Sequence, residues 1–256
     1  VMSNGKIAMK LESGDRLISV RGCSGEDDIF LSTRKGKCIR FPIDDVRVFV
    51  GRSSTGVRGQ RLAADDEVIG VTVLRHMDYS PEVREGYLKR RRIEEHMADD
   101  EPAVEPASLL DDDTFAAMKE AEEFMLVVTA NGYGKRTSAY EYRITGRGGQ
   151  GIMNFDANDR LGDLVASFPV KDSDQLMLVS DGGQLIRMPV RDIRIAARKT
   201  QGVRLFRMGE DERVVSATRL DDAAVEDDED LADDVETGEA APEGEAAPET
   251  PPGEGN

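Results

Sequence analysis

The sequence predicts an all-β, propeller-like fold, with four-stranded blades of about 51 residues, a helical and disordered insertion, and a disordered acidic tail. Three observations carry this expectation. Glycines recur at a fixed interval, arginines recur in register with them, and each interval holds short apolar runs divided by turn signals, which is how stacked repeats read in sequence.

Aligned on the glycine that closes a loop, Gly5, Gly56, Gly151 and Gly202 are spaced by 51, 95 and 51 residues. The long middle interval is one repeat plus an insertion of about 44 residues. A second register agrees: the turn glycines Gly36, Gly132 and Gly183 are 96 and 51 apart, and Arg40, Arg136 and Arg187 follow each by four. Arg52, Arg147 and Arg198 precede the anchor glycines by four.

The elements follow in order. Residues 1–26 read as the end of a blade, beginning inside a patterned segment as a fragment of a longer chain would. Residues 27–74 form the first complete blade, with strands at "IFLST", "KCIRF", "VRGQRL" and "EVIGVTVL". Residues 75–121 form the insertion: Ser80 caps a helix that Pro81 opens, an acidic bridge "ADDEPAVEPASLLDDD" follows, and a second short helix runs from Thr114 to about Glu123. Residues 122–170 are the next blade, with Asn131-Gly132 as a hairpin turn whose central residues favour positive φ. Residues 171–220 are the last blade, and 221–256 a tail that buries no core. The WD40 pattern is excluded because the chain has no Trp. Kelch blades are excluded because "RGGQG" and "DGGQL" lack the spaced aromatics.

Charge distribution matters more than the net value of -17. The tail holds 15 acids and no Lys or Arg, and the segment from Arg75 to Glu120 carries -6, which leaves the other 174 residues at +4. The repeats are mildly basic. Two cysteines, Cys23 and Cys38, are too few for a disulfide framework or a zinc site, and with no basic-then-apolar opening and no apolar run of membrane-spanning length in the sequence a cytoplasmic location is the expectation.

No catalytic or metal-binding set is visible. His76 and His96 fall in the insertion without a Glu or Cys at ligand spacing, and the glycines of "GRGGQG" are not followed by a helix as a dinucleotide site requires. The basic run Lys89 to Arg92 is followed by Glu94 and Glu95 and reads as a solvated helix face rather than a nucleic-acid patch.

The periodic cations are the functional signal. Arg40, Arg52, Arg58 and Arg61 belong to the first blade, Lys135, Arg136, Arg143 and Arg147 to the second, and Arg187, Arg198, Lys199, Arg204 and Arg207 to the third. Equivalent positions on successive repeats become a stripe in space. Loop arginines beside glycines suit phosphate, which can approach backbone N–H groups and the guanidinium fork. Such a surface would grip the backbone of bent duplex DNA in a salt-dependent way. A propeller that binds protein partners is the alternative from another class.

At "RSSTGVRG", "TANGYGKRT" and "ARKTQGVRL", with an acidic tail behind them, the chain resembles the C-terminal domains of DNA gyrase A, from Val1 to about Leu220 outside the insertion. That resemblance implies a β-pinwheel, a six-bladed disc whose strands are exchanged between neighbours and whose basic edge wraps double-stranded DNA. It implies a part in ATP-dependent negative supercoiling, the partners being the B subunit of gyrase and a second copy of the A subunit in an A2B2 assembly. ATP and Mg would belong to the cleavage core and the B subunit, while this segment itself would carry no cofactor, metal or catalytic residue. None of Tyr79, Tyr87, Tyr133, Tyr140 or Tyr142 is read as the strand-cleaving nucleophile. The family's hallmark box, Gln-Arg-Arg-Gly-Gly-Lys-Gly, has only a degenerate echo at Thr145–Gly151, where Arg147, Gly148, Gly149 and Gly151 match and Gln150 replaces the lysine. The corresponding subunit of topoisomerase IV is the close alternative. The acidic tail is expected to compete with DNA for the basic rim or to serve as a solubility tail.

Overall fold

The computed structural model describes residues 7–96 and 109–221. The acidic bridge beyond residue 96 and the tail from residue 222 lie outside the described residues. Residues 7–26, expected as the end of a blade, carry no helix or strand.

Eleven strands form three antiparallel sheets among the described residues. In the first blade β1 (Asp27–Thr33) is central, flanked by β2 (Lys37–Pro42) and β3 (Val68–Arg75), and β6 (Ile152–Met153) completes the order β3-β1-β2-β6. The second blade repeats the plan with β4 (Phe124–Thr129), β5 (Tyr133–Ser138), β7 (Leu164–Val170) and a donated β10 (Val203–Arg204), in the order β10-β5-β4-β7. The third contains β8 (Gln175–Ser180), β9 (Leu185–Pro189) and β11 (Val214–Leu220) in the order β11-β8-β9.

The fourth strand of each complete sheet therefore comes from the following repeat. Ile152 pairs with Cys38, and Val203 pairs with Gly134. This corrects the expected strand at Val57–Leu62, which occupies the equivalent register but is coil. A two-residue strand is held by its neighbour's ladder, and no preceding hairpin exists among the described residues to receive it.

The periodic glycines are backbone requirements. Gly36, Gly132 and Gly183 turn the hairpins with φ of 82°, 75° and 81°, and Gly56, Gly151 and Gly202 close the loops with φ of 82°, 76° and 71°. An L side chain is strained in that region.

Burial explains why β4 reads as a continuous apolar run whereas β8 alternates. Met125 faces the cluster of Phe30, Cys38, Leu74 and Tyr142, and Leu126 and Val128 face that of Leu176, Leu178, Val190 and Phe206. The middle blade is covered on both faces. In β8 only Leu176, Leu178 and Ser180 are buried, since one face alone meets a neighbour. The core thus lies between blades.

The insertion folds onto the middle blade. Helix α1 (Pro81–His96) begins where Ser80 Oγ accepts from the Val83 N–H, and α2 (Asp112–Glu120) begins two residues before the expected start because Asp111 accepts from the Thr114 N–H at 2.8 Å. Tyr87, Phe115 and Met118 pack on Tyr140, whose hydroxyl donates to the Met118 carbonyl at 2.8 Å.

The reading of Lys89–Arg92 as a solvated face holds for Lys89 and Arg92, which are exposed, and needs correction for Arg90 and Arg91. Arg90 is buried, stacks over Phe115 and pairs with Glu94 and Asp112. Arg91 stacks over Phe124 and pairs with Glu122 at 2.7 Å. Burial pushes the Glu122 carboxyl above its ordinary range, with the Ser138 and Arg91 hydrogen-bonding partners opposing the shift. Arg91 fastens the insertion to the blade, and Arg90 ties the two helices of the insertion together. No helix among the described residues is long and apolar enough to cross a membrane.

Candidate nucleic-acid interface

The periodic cations divide into three groups by what their side chains touch. The first group lies inside. Arg40 is 3% exposed, and its Nε donates to Asp28 at 2.7 Å, Nη1 to the Ala139 carbonyl at 3.0 Å and Nη2 to the Arg75 carbonyl at 2.8 Å. Arg136 is 5% exposed and repeats the arrangement one blade on, donating to the Ile193 and Arg191 carbonyls and pairing with Asp172. Each therefore clasps the short 3-10 turn of the following repeat, Ala139–Glu141 or Val190–Asp192. As expected phosphate ligands both are corrected: their donors are used between blades, and leaving Asp28 unpaired inside the protein would be costly.

Lys135 is also removed from the surface. It is fully buried, and its Nζ donates to the carbonyls of Ala197 at 2.9 Å, Thr200 at 2.7 Å and Arg198, with the Phe155 ring centroid 5.3 Å away. Burial brings its ammonium pKa down to about 8, against the opposing field of Glu141.

The second group is half-buried and stitches loops together. The Arg147 N–H donates to Asp45 Oδ2, its Nε to the Asp45 carbonyl at 3.0 Å and its Nη1 to the Arg58 carbonyl at 2.6 Å. One blade on, the Arg198 N–H donates to Glu141 Oε2 at 2.7 Å and its Nη1 to the Met153 carbonyl. An acid in each preceding 3-10 turn thus occupies the loop N–H that sequence reasoning offered to phosphate. The box echo is similarly engaged: Gly148 N–H donates to Gly59 O at 2.7 Å, and Gly149 O accepts from Arg61 N–H at 2.8 Å. At Gly151 a Cβ would collide with the Cys38 carbonyl, so this position requires close backbone approach.

The third group lies on the surface. Arg52, Arg58, Arg61, Lys199 and Arg207 are exposed, and none makes a side-chain hydrogen bond or ion pair with a described residue. Arg143 and Arg194 share both properties. Sequence reasoning missed Arg194, although it follows Arg143 by the same 51 residues that separate Arg147 from Arg198. Arg204 is exposed and donates to Tyr133 Oη at 2.8 Å, and Arg160 lies against the same ring, its guanidinium 5.4 Å from the Tyr133 centroid. Arg187 is exposed on the edge strand β9.

The loops that carry these residues form one hydrogen-bonded series. Residues 58–61 meet 147–149 through Gly59, Arg61 and Arg147, and the second loop meets the third through Arg198 on Met153 and Arg160 on Gln201. Two cavities repeat at the blade junctions. One of about 180 Å³ is lined by Arg40, Arg143 and Gly146, and one of about 260 Å³ by the equivalent Arg194 and Ala197, with Arg91 and Arg92 of α1 as an added wall. No group of three or more metal-ligating side chains occurs among the described residues.

Comparison with known proteins gives concordant findings. The family described as DNA gyrase C-terminal domain, beta-propeller, matches residues 2–24, 27–75, 123–171 and 174–221. The DNA gyrase A subunit of Granulibacter bethesdensis is 49% identical over 233 residues, covering 84% of this chain and 25% of that protein. Its counterpart in Rickettsia bellii is 44% identical, covering 88% of this chain and 25% of that protein. The chain thus spans about a quarter of the length of these curated relatives. Among solved structures, a DNA gyrase A C-terminal domain superposes with a TM-score of 0.60 at 20% identity, covering 84% of this chain and 58% of that one. The C-terminal domain of DNA topoisomerase IV gives 0.63 at 18% identity, covering 90% of this chain and 58% of that one. Both structural likenesses concern the fold.

Proposed function

The chain belongs to the DNA gyrase C-terminal domain family, and from that membership we propose that it binds double-stranded DNA along the loop series and holds it in a bend. The observation that supports this most is the run of unpaired cations, Arg58, Arg61 and Lys199 with Arg52 and Arg207, on loops joined blade to blade by hydrogen bonds. A cation with no internal partner loses least when it meets a phosphate. Each phosphate neutralised releases counterions, so affinity falls with salt, and repeated contacts around a curved edge offset a bending cost of roughly 1–6 kcal/mol for a 20–30 base-pair site.

In this reading the chain serves a type II topoisomerase that introduces negative supercoils. The gyrase B subunit would bind and hydrolyse ATP, with Mg used there and at the cleavage core, and the A subunit would pair with a second copy of itself in an A2B2 assembly. The chain itself would contribute wrapping and no covalent chemistry. The topoisomerase IV alternative has less support, since the family match and the curated relatives are of gyrase A.

The test is equilibrium binding of the chain to linear duplex over a salt series. Arg58→Ala with Arg61→Ala should lower the slope of log K against log salt by about 1.8, near 0.9 per contact. Salt-insensitive binding by the unsubstituted chain would overturn the proposal.

A further inference from the structure

Lys135 carries an inference that the periodicity does not contain. Its register equivalents are Ile39 and Ile186, so this buried ammonium occurs in one of the three blades. It lies on β5, yet every acceptor it uses belongs to the turn at Ala197–Thr200 of the next repeat. That turn is closed by the Thr200 N–H on the Ala197 carbonyl at 3.0 Å and the Thr200 hydroxyl on the same oxygen at 2.8 Å. Three carbonyl dipoles converging on one point repel one another unless a cation sits between them, and each costs free energy if it is covered without a donor. The turn carries Arg198 and Lys199: the first is anchored through its N–H to Glu141 and through Nη1 to the Met153 carbonyl, which leaves Nη2 without a partner among the described residues, and the second is exposed and unpaired.

We propose that Lys135 is a positioning residue for DNA binding: from inside one blade it fixes the turn of the next, so that Arg198 and Lys199 meet the duplex backbone together. The inference rests on the DNA-binding function proposed above. Lys135 is fully buried and touches no phosphate itself, so its effect runs entirely through the two residues it holds.

The test compares the full chain with Lys135→Met, with Arg198→Ala/Lys199→Ala, and with all three substitutions, in duplex binding over a salt series near neutral pH. Lys135→Met should lower the salt slope by about 1.8, the value for two lost contacts rather than one, and should add nothing once Arg198 and Lys199 are already alanine. Amide exchange at Lys199–Gln201 should accelerate in Lys135→Met with or without DNA. If that variant does not fold, Lys135→Gln, a neutral and shorter side chain with two N–H donors, serves the same comparison. An unchanged slope in a folded variant, additive losses, or unaltered exchange in the turn would each overturn the inference. Salt-insensitive binding of the unsubstituted chain would instead sink the DNA reading and leave the exchange result to decide whether Lys135 holds the turn.

Discussion

Arg40→Ala separates a blade clamp from a phosphate ligand. The substitution removes three donated hydrogen bonds, to Asp28, Ala139 and Arg75, and leaves the Asp28 carboxylate, which is 0% exposed, facing only His76 Nδ1 at 2.7 Å. Removing one partner of a buried ion pair costs about 3–5 kcal/mol, because the remaining charge stays desolvated. In a domain of this size 1 kcal/mol moves the melting temperature by roughly 2–4 °C, so a fall of about 6–20 °C is expected. The measurement is urea unfolding with thermal melting, followed by duplex binding at a temperature where the variant is folded. The denaturant midpoint should drop with little change in its slope, and the salt dependence of binding should match that of the unsubstituted chain. A variant that loses less than about 0.5 kcal/mol of stability, or that remains folded and loses about 0.9 from its salt slope, would refute the assignment of Arg40 to the interior.

Two further outcomes test the architecture. Gly151→Ala should destabilise by about 2–4 kcal/mol, since it combines a φ of 76° with a Cβ driven into the Cys38 carbonyl, while Gly146→Ala, where nothing lies within 4 Å, should be close to neutral in the same thermal melts. A thiol reagent at mildly alkaline pH should label one cysteine per folded chain and two in denaturant, because Cys23 is exposed whereas burial pushes the Cys38 thiol up to about 12. The same shift has a sign in stability: the folded state keeps its proton above pH 9 while the unfolded state loses it. The contribution is therefore present below about pH 9 and declines by about 1.4 kcal/mol per pH unit as pH rises toward 12. Two labels on the folded chain would refute this burial.

Much of the fold was legible because its unit repeats. A glycine forced to positive φ leaves the same mark at each occurrence, and Gly36, Gly132 and Gly183 alone were enough to register the hairpins. The expected strand at Val57–Leu62 failed for the opposite reason: a donated strand takes its ladder from another repeat, and its own residues do not reveal whether an acceptor is there. The site was less legible than the fold. Arg40 and Arg58 are the same residue type in one blade, yet the first is enclosed by Asp28 and two carbonyls and the second is open to solvent. Arg194 and Arg160 were missed, although the 51-residue spacing from Arg143 could have found the first. For Lys135 no local signal existed, since its three acceptors lie 62 to 65 residues away.

From the sequence alone come the period, the glycine turns, the helical character of the insertion and the register in which cations recur, because each depends on residue type and spacing along one strand or turn. The tertiary structure alone decided which of those cations face solvent. Stacking blade on blade gives every strand residue two environments, and an arginine that meets a neighbour's carboxylate and carbonyls becomes a fastening, whereas one on an outer loop keeps its charge for another molecule.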